Sequence, residues 1–201
     1  MKNTVKIALM ASVLALILPI FKANSQTIKG IEFETDPTYY FNRGYSFDVA
    51  IATERMLFRA LPYQTDVPSV FQGNGNKNYK QTIRGVSFDI DYFFKKSTKG
   101  FFIGPIFSVS KDEITNELNN QSLKTDHITA GIRFGYRWFP FHKNVDTREN
   151  GLFLSPFIAP LFNIADDVKF SDGRTYKYAT FFPFGGVHIG WKFNFNSSKN
   201  K

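Results

Sequence analysis

The stretch DHITAGIRFGYRWF, residues 126–139, carries the alternation on which the fold depends. Every second side chain in it is apolar or aromatic: Ile128, Ala130, Ile132, Phe134, Tyr136 and Trp138. The side chains between them are small or polar: Thr129, Gly131, Arg133, Gly135 and Arg137. Because successive side chains of a strand point to opposite faces, this pattern indicates a β-strand with one apolar face and one polar face.

Seven other segments extend this pattern along the chain. Clear alternation occurs in residues 45–52, 86–92 and 186–195, and weaker alternation in residues 27–34, 55–63, 101–110 and 151–162. The clear segments approach the 9–11 residues that a tilted strand needs to cross a bilayer. We therefore predict an all-β fold, an eight-stranded antiparallel transmembrane β-barrel of the outer-membrane type. Pro156 and Pro160 remove ladder hydrogen bonds from the last segment, so we expect a local bulge there.

The connections between these segments favour a barrel with both chain ends in the periplasm. The outward connections are about 9, 17, 15 and 17 residues long, whereas the inward ones are about 1, 5 and 11. Outer-membrane barrels of bacteria combine long external loops with short periplasmic turns. In this arrangement residues 111–124 form a solvated external loop.

Residues 1–25 have the organisation of a cleaved signal peptide. A positive start with two lysines precedes the largely apolar residues 7–21, and Ala23 and Ser25 are small residues at the positions that a signal peptidase reads. A membrane anchor needs roughly 18–20 apolar residues, more than this run provides. The sequence therefore predicts a signal peptide at 1–25 and an outer-membrane barrel domain at 26–201.

The signal peptide defines the first residue of the mature protein. Cleavage after Ser25 predicts that protein isolated from outer membranes begins at Gln26. N-terminal sequencing of that protein measures this directly. A sequence that begins at Met1 would contradict the signal peptide.

Composition narrows the possible partners. The chain has no cysteine, which excludes disulfides, cysteine-ligated metals and a lipoprotein anchor. The formal net charge is +8, and three of these charges are lysines of residues 1–25. The other basic residues are scattered, apart from the tail at 199–201, which is typical of a solvated surface. We predict outer-membrane lipid as a partner, no nucleic acid and no cofactor.

Alternation alone leaves open which face meets lipid, because a soluble lipocalin-like barrel turns its apolar face inward. Four glycines lie on the polar faces: Gly131, Gly135, Gly186 and Gly190. A crowded barrel interior needs small residues beside long ones, whereas glycine only weakens a strand that faces water. Aromatic residues near the strand ends fit the girdles of a membrane barrel. We favour the transmembrane orientation and keep a soluble ligand-binding barrel in the periplasm as an alternative.

Five segments carry a resemblance to known membrane proteins: DPTYYFNRGYSFDV (36–49), GVSFDIDYFF (85–94), GFFIGPIFSVS (100–110), AGIRFGYRWFP (130–140) and GGVHIGWKFNF (185–195). They resemble uncharacterised small outer-membrane β-barrel proteins of Bacteroidota. The resemblance implies a barrel in the outer membrane of a Gram-negative bacterium. It supplies no catalytic residue.

A second alternative is an outer-membrane lipid-modifying enzyme, an acyl hydrolase or acyltransferase. That chemistry needs a nucleophilic serine beside a general base. Ser108 and Ser155 lie on polar faces, but the sequence has no G-x-S-x-G element and places neither serine beside His188. Neither His127 nor His142 pairs with another histidine at a metal-ligand spacing. We therefore predict no catalytic, cofactor-binding or metal-binding residue, and expect that the protein is not an enzyme.

The polar faces predict a charge network in the barrel interior. Its members are Asp48, Asp89, Asp91, Arg133, Arg137, Lys192 and His188, with Glu32 and Glu34 as further acids. Isolated charges in a narrow lumen are costly, whereas a hydrogen-bonded network is tolerated. We expect one of the two arginines to pair with Asp89 or Asp91, with Lys192 close enough to join. The lumen is then plugged, and the function lies in the external loops, as an envelope-structural or surface-interaction role with an extracellular partner.

Overall fold

The computed structural model describes residues 27–72, 75–141 and 149–195. The predicted signal peptide lies outside these residues, as do His142 and the basic tail. Most of the described chain is β-strand. No helix among the described residues is long and apolar enough to cross a membrane.

The strands follow one another along the chain. They are β1 (Gly30–Thr35), β2 (Tyr45–Ser46), β3 (Asp48–Ala52), β4 (Met56–Asp66), β5 (Tyr79–Phe93), β6 (Gly100–Asn116), β7 (Gln121–Arg137), β8 (Gly151–Ile164), β9 (Val168–Lys169), β10 (Thr175–Tyr176) and β11 (Phe181–Asn194). The short helix α1 (Pro37–Phe41) follows β1, and a 3-10 helix (Ser69–Phe71) follows β4. Only Phe47 separates β2 from β3, and both pair with β4, so they form one strand of the barrel.

The sheet closes on itself. From β3 to β8 each strand pairs antiparallel with the next, β8 pairs with β11, and β1 pairs with both β3 and β11. With β2 and β3 taken together, eight strands form the ring, and β9 and β10 form a separate hairpin. The predicted eight-stranded antiparallel β-barrel is therefore confirmed. Closure pairs the backbone groups that an open sheet would leave free at its edges.

The predicted external loop at residues 111–124 is wrong, because β6 and β7 both continue through it. Each of these strands is 17 residues long, and a turn of four residues joins them. Asn120 takes the positive φ of 56° that such a turn requires. Inward-facing Asp112, Ile114 and Asn116 are buried, while the residues between them are charged or polar. The two strands thus extend beyond the rest of the barrel wall.

Pro156 and Pro160 interrupt one ladder of β8 without a bulge. The ladder with β11 is continuous across both prolines. On the β7 side, the ladder is interrupted between the pair of Gly131 with Leu161 and the pair of Phe134 with Ile158. These two pairs are three residues apart on both strands, so no residue is inserted. The expected bulge is therefore wrong. The prolines lack only the N–H groups that would bond to β7.

The apolar face of the wall points outward. On β7, Ile132 is 44% exposed and Phe134 is 41% exposed, whereas Arg133 between them is fully buried. The same outward face carries further exposed apolar side chains: Phe88, Val109, Ile158, Val187 and Ile189. This is the reverse of the arrangement in a soluble ligand-binding barrel, which keeps its apolar face inside.

Aromatic side chains form a band at each end of this outer surface. The band near the chain ends includes two contacting pairs: Phe101 with Tyr136, and Trp191 with Phe193. The opposite band includes the pair of Phe162 and Phe181, whose ring centroids are 5.3 Å apart. We call the end at which β1 begins and β11 ends the inner end, and the opposite end the outer end.

The connection between β8 and β11, residues 165–180, folds over the outer end of the barrel. We call it the outer loop; it contains the hairpin of β9 and β10. Its apolar side chains share a small core with side chains of β5 and β6: Val168, Phe170, Tyr176, Tyr79 and Ile114. The side chain of Asn76 also donates to the backbone carbonyl of Lys177 at 2.7 Å. The outer loop is therefore packed against the barrel.

Candidate functional site

Ionisable side chains fill the inner part of the barrel. Ten of them are at most 3% exposed: Glu32, Glu34, Asp48, Arg59, Asp89, Asp91, Arg133, Arg137, His188 and Lys192. They come from β1, β3, β4, β5, β7 and β11. We call these ten residues the interior charge cluster. All seven residues of the predicted network lie in it.

Arg59 lies at the centre of the interior charge cluster. Its guanidinium is 3.1 Å from Glu34, 3.1 Å from Asp89, 3.2 Å from Asp91 and 3.6 Å from Asp48. One cation therefore contacts four carboxylates that belong to three different strands. Since none of these side chains meets solvent, each depends on the others for compensation of its charge.

Arg133 connects β7 to the acids of β5. It lies 2.5 Å from Asp89 and 3.6 Å from Asp91. Its guanidinium also lies over the ring of Phe157, 4.3 Å from the ring centroid, and 5.3 Å from that of Phe102. Phe102 of β6 and Phe157 of β8 thus stabilise Arg133 by cation–π contacts, although the carboxylates of the cluster lie on other strands.

Of the two arginines, Arg133 is the one that pairs with Asp89 and Asp91, whereas Arg137 contacts glutamates of β1. Arg137 lies 2.5 Å from Glu32 and 3.2 Å from Glu34, both on β1, and its pairing with an aspartate of β5 is not found. The strand register explains why. Tyr92 of β5 and Phe134 of β7 both pair with Ile103 of β6. Asp91 and Arg133, each one residue earlier in its strand, therefore lie at the same level of the barrel. Arg137 lies further along β7, toward the inner end.

Lys192 extends the cluster to the inner end. Its ammonium lies 3.7 Å from Glu32 and 3.2 Å from Glu149, and it also donates to the hydroxyl of Thr98. Glu149 accepts from the backbone N–H of Thr98 as well, at 2.9 Å. Lys192 therefore joins the cluster through Glu32, and not through the aspartates of β5.

His188 lies beside two carboxylates of the cluster. Its Nδ1 is 2.9 Å from Glu34 Oε2 and 3.2 Å from Asp48 Oδ2. The ligand atoms of these three residues all lie within 4.8 Å of one another, a spacing that suits a metal ion. Arg59 already pairs with both carboxylates, and the ten residues include five carboxylates against four arginine and lysine side chains. One added proton would balance the charge of these ten residues. A further buried carboxylate, that of Asp36, lies 4.0 Å from His188 Nε2.

A second polar network lies at the outer end, beneath the outer loop. Asp112 Oδ2 accepts from Gln81 at 2.6 Å and from the hydroxyl of Tyr178 at 3.0 Å, and lies 2.9 Å from His127 Nδ1. Tyr176 donates to Gln81 at 2.6 Å. Burial and the Asp112 carboxylate raise the pKa of both tyrosine hydroxyls, which therefore remain hydrogen-bond donors.

A cavity of about 130 Å³ lies between these two groups of polar residues. Its inner wall includes Ser87, which donates to Asp89 of the interior charge cluster at 2.8 Å. Its outer wall includes Tyr176 and Tyr178 of the outer loop. The side walls are mainly apolar, with Ile106, Leu161, Phe71, Phe182 and Phe184. We call this space the outer cavity.

The serine–histidine pair of a lipid-modifying enzyme does not occur among the hydrogen bonds of the described residues. Ser108 is hydrogen bonded to the hydroxyl of Tyr63 at 2.6 Å. Ser155 faces His188 across the ladder of β8 and β11, but its hydroxyl has no hydrogen-bond partner in the described part of the chain. Neither serine is thus activated by a base in this structure.

Two central residues of the polar networks were not found from the sequence. Arg59 shares its inward face with Leu57 and Leu61, which made the alternation of its strand weak. A single arginine among apolar residues of a strand was the available signal. Asp112 falls in the predicted loop at residues 111–124, although Ile114, which is buried, follows it at the spacing of a strand face.

Comparison with known proteins gives a structural similarity but no family. No family model matches the sequence, and no curated protein matches it. Among solved structures, the chain is similar to a major outer membrane protein from Thermus thermophilus. The match covers 82% of this chain and 98% of that chain, with 10% sequence identity and a TM-score of 0.42. The resemblance to barrels of Bacteroidota stays a prediction.

Proposed function

We propose that this protein spans the outer membrane as a lipid-facing barrel and that its outer end carries its function. The observation behind this proposal is the distribution of side chains across the wall, with apolar residues outside and ten ionisable residues inside. A bilayer core solvates neither charges nor free backbone groups, and a closed barrel exposes neither. In water the same surface would expose a continuous apolar belt.

The height of the apolar surface supports this placement. Phe162 of the outer aromatic band pairs with Ala130 on β7, and Trp138, directly after the end of β7, lies eight residues further toward the inner end. Eight residues span about 26 Å along a strand, or about 20 Å along the barrel axis at a tilt of about 40°. With the aromatic rings at both ends, this approaches the roughly 25 Å apolar band of outer-membrane barrels.

Replacing Ile132 with arginine tests the contact with lipid. Ile132 is exposed near the middle of the apolar band, so Ile132→Arg should lower the free energy of unfolding in lipid vesicles by about 2–4 kcal/mol. Ser122 lies on the same face of β7 but in its extension beyond the band, so Ser122→Arg should cost under about 1 kcal/mol. Denaturant titration of both variants measures the difference. A harmless Ile132→Arg in lipid would mean that this face does not meet the bilayer.

We also propose that the lumen does not conduct ions. The interior charge cluster bridges six of the eight strands through ion pairs of 2.5–3.7 Å, which leaves the inner part filled by side chains. Protein reconstituted into planar bilayers should therefore produce no stepwise current. Reproducible current steps of one size would contradict a plugged lumen.

The remaining functional surface is the outer end, and we propose that it meets an extracellular partner. The turn between β6 and β7 projects beyond the wall and exposes Leu118, while the 3-10 helix after β4 exposes Val70. A lipid-modifying activity would need a base beside a nucleophile, and none of the contacts described above supplies that pair. We therefore propose an interaction role and not an enzymatic one.

A further inference from the structure

The size of the outer cavity limits what it can hold. Its volume is about 130 Å³. An apolar protein cavity of about 150 Å³ stays dry and takes up a molecule of the size of benzene. A fatty acyl chain of ten or more carbons needs more space than this. The volume therefore suits one small ring.

The walls of the outer cavity favour an aromatic ring. Tyr39 packs against the rings of Tyr63 and Phe184, with centroid separations of 5.5 and 6.3 Å. Phe71 and Phe182, whose centroids are 6.5 Å apart, line the same space. A ring placed among these side chains can make the edge-to-face contacts that aromatic groups prefer.

The hydroxyl groups around the outer cavity identify one free hydrogen-bonding position. Nine lining residues carry a hydroxyl: Thr38, Tyr39, Tyr63, Thr65, Ser87, Ser108, Thr129, Tyr176 and Tyr178. Eight of them are hydrogen bonded to other described residues. The hydroxyl of Tyr39 has no such partner within the described part of the chain. Tyr39 is half-buried and lines the cavity, so its unpartnered hydroxyl is available to form a hydrogen bond with a ligand there.

The hydroxyl of Tyr39 is a neutral hydrogen-bond donor. Tyr39 belongs to α1, which follows β1 at the outer end of the barrel. Burial, together with the neighbouring Tyr63, raises the pKa of the Tyr39 hydroxyl well above its usual range. The group therefore keeps its proton and can donate to an oxygen atom of a neutral or anionic molecule.

We propose that the outer cavity binds a small molecule with one aromatic ring and one oxygen atom that accepts a hydrogen bond from Tyr39. This goes beyond the proposed function and rests on it only for the side of entry, because a spanning barrel presents this cavity to the exterior. The outer loop forms the roof, through the hydrogen bonds of Tyr178 with Asp112 and of Asn163 with the carbonyl of Ala179. Under this roof the ring is shielded from water.

Binding of 4-fluorophenol and fluorobenzene, followed by fluorine NMR, tests this proposal. The protein is placed in lipid nanodiscs and in detergent micelles, with empty nanodiscs and micelles as blanks. We expect saturable binding of 4-fluorophenol at one site, about tenfold tighter than that of fluorobenzene, which lacks the oxygen. In Tyr39→Phe the two probes should bind almost equally, because the variant loses only the donor.

Two neighbouring residues of the outer loop provide a matched pair of variants. Ala179 lines the outer cavity, so Ala179→Phe should fill it and abolish saturable binding. Thr180 is exposed and does not line it, so Thr180→Phe should bind as the wild type does. Full binding to Ala179→Phe, or no saturable binding to the wild type, would overturn the site. Tighter binding of decanoate in competition with 4-fluorophenol would show an acyl-chain site and overturn the assignment to a ring.

Insertion is measured separately, by co-elution of the protein with lipid nanodiscs. Failure to co-elute contradicts the membrane-spanning function, whereas the titration in micelles still reports on the outer cavity. A failure of the membrane-spanning proposal and a failure of the ligand-binding proposal are therefore detected by different measurements.

Discussion

Replacing Arg59 with methionine should lower the free energy of unfolding in lipid vesicles by about 3–5 kcal/mol, as is usual for a buried ion pair that loses one partner. Arg59 compensates Glu34, Asp48, Asp89 and Asp91, all within 3.6 Å and all shielded from solvent. Methionine keeps much of the volume and removes the charge, so the loss reports electrostatics and not a cavity. Urea titration followed by tryptophan fluorescence measures it.

A second substitution separates this explanation from a general weakening of the core. Adding Glu34→Gln to Arg59→Met should restore part of the stability, because one uncompensated carboxylate is removed. The exposed pair of Lys80 and Asp66, 3.1 Å apart, provides a control, and Lys80→Met should cost under about 1 kcal/mol. Similar losses for Arg59→Met and Lys80→Met would contradict the role of Arg59.

Replacing Gly104 with alanine should destabilise the barrel by about 3 kcal/mol, the upper end of the usual cost of overpacking. An added Cβ at Gly104 would overlap the backbone carbonyl oxygen of Ile90 and approach the Cα of Asp91 to 3.0 Å. β5 and β6 come too close at this point for any side chain. Alanine would push the two strands apart beside Asp91 of the interior charge cluster. The free energy of unfolding in lipid vesicles measures the effect.

Gly185 provides the control for Gly104. It lies on the outward-facing side of β11, and an added Cβ there would approach the carbonyl oxygen of Phe157 to 3.2 Å, which a small shift relieves. Gly185→Ala should therefore cost under about 1 kcal/mol. If both alanine variants were equally stable, the close approach of β5 and β6 would not depend on Gly104.

The fold could be predicted from the sequence where the two faces of a strand have different environments. In residues 126–139 these two environments select apolar and polar side chains in strict turn, so the alternation is visible without any neighbour. Where β6 and β7 extend beyond the apolar band, the outer face is no longer apolar. Both faces then accept polar residues, and residues 111–124 look like a loop although they are mostly strand.

The interior charge cluster could be predicted in its membership but not in its pairs. Any charge on an inward face must lie in the lumen, which placed Asp48, Asp89 and Lys192 correctly without knowledge of their partners. Pairs depend on the relative shift of neighbouring strands, and this shift is set by the whole ring. For this reason the sequence did not distinguish Arg133 from Arg137 as the partner of Asp91.

The pairing of β1 with β11 has a consequence for the rate of folding. Gly30 lies opposite Asn194, so the ladder that closes the ring joins positions 164 residues apart in the chain. Contacts of such long sequence separation form slowly, because the entropy of a large loop is lost before the ladder stabilises it. Until β11 arrives, β1 and β8 each present a free strand edge to other chains. Aggregation should therefore compete with closure most strongly until the last strand has paired.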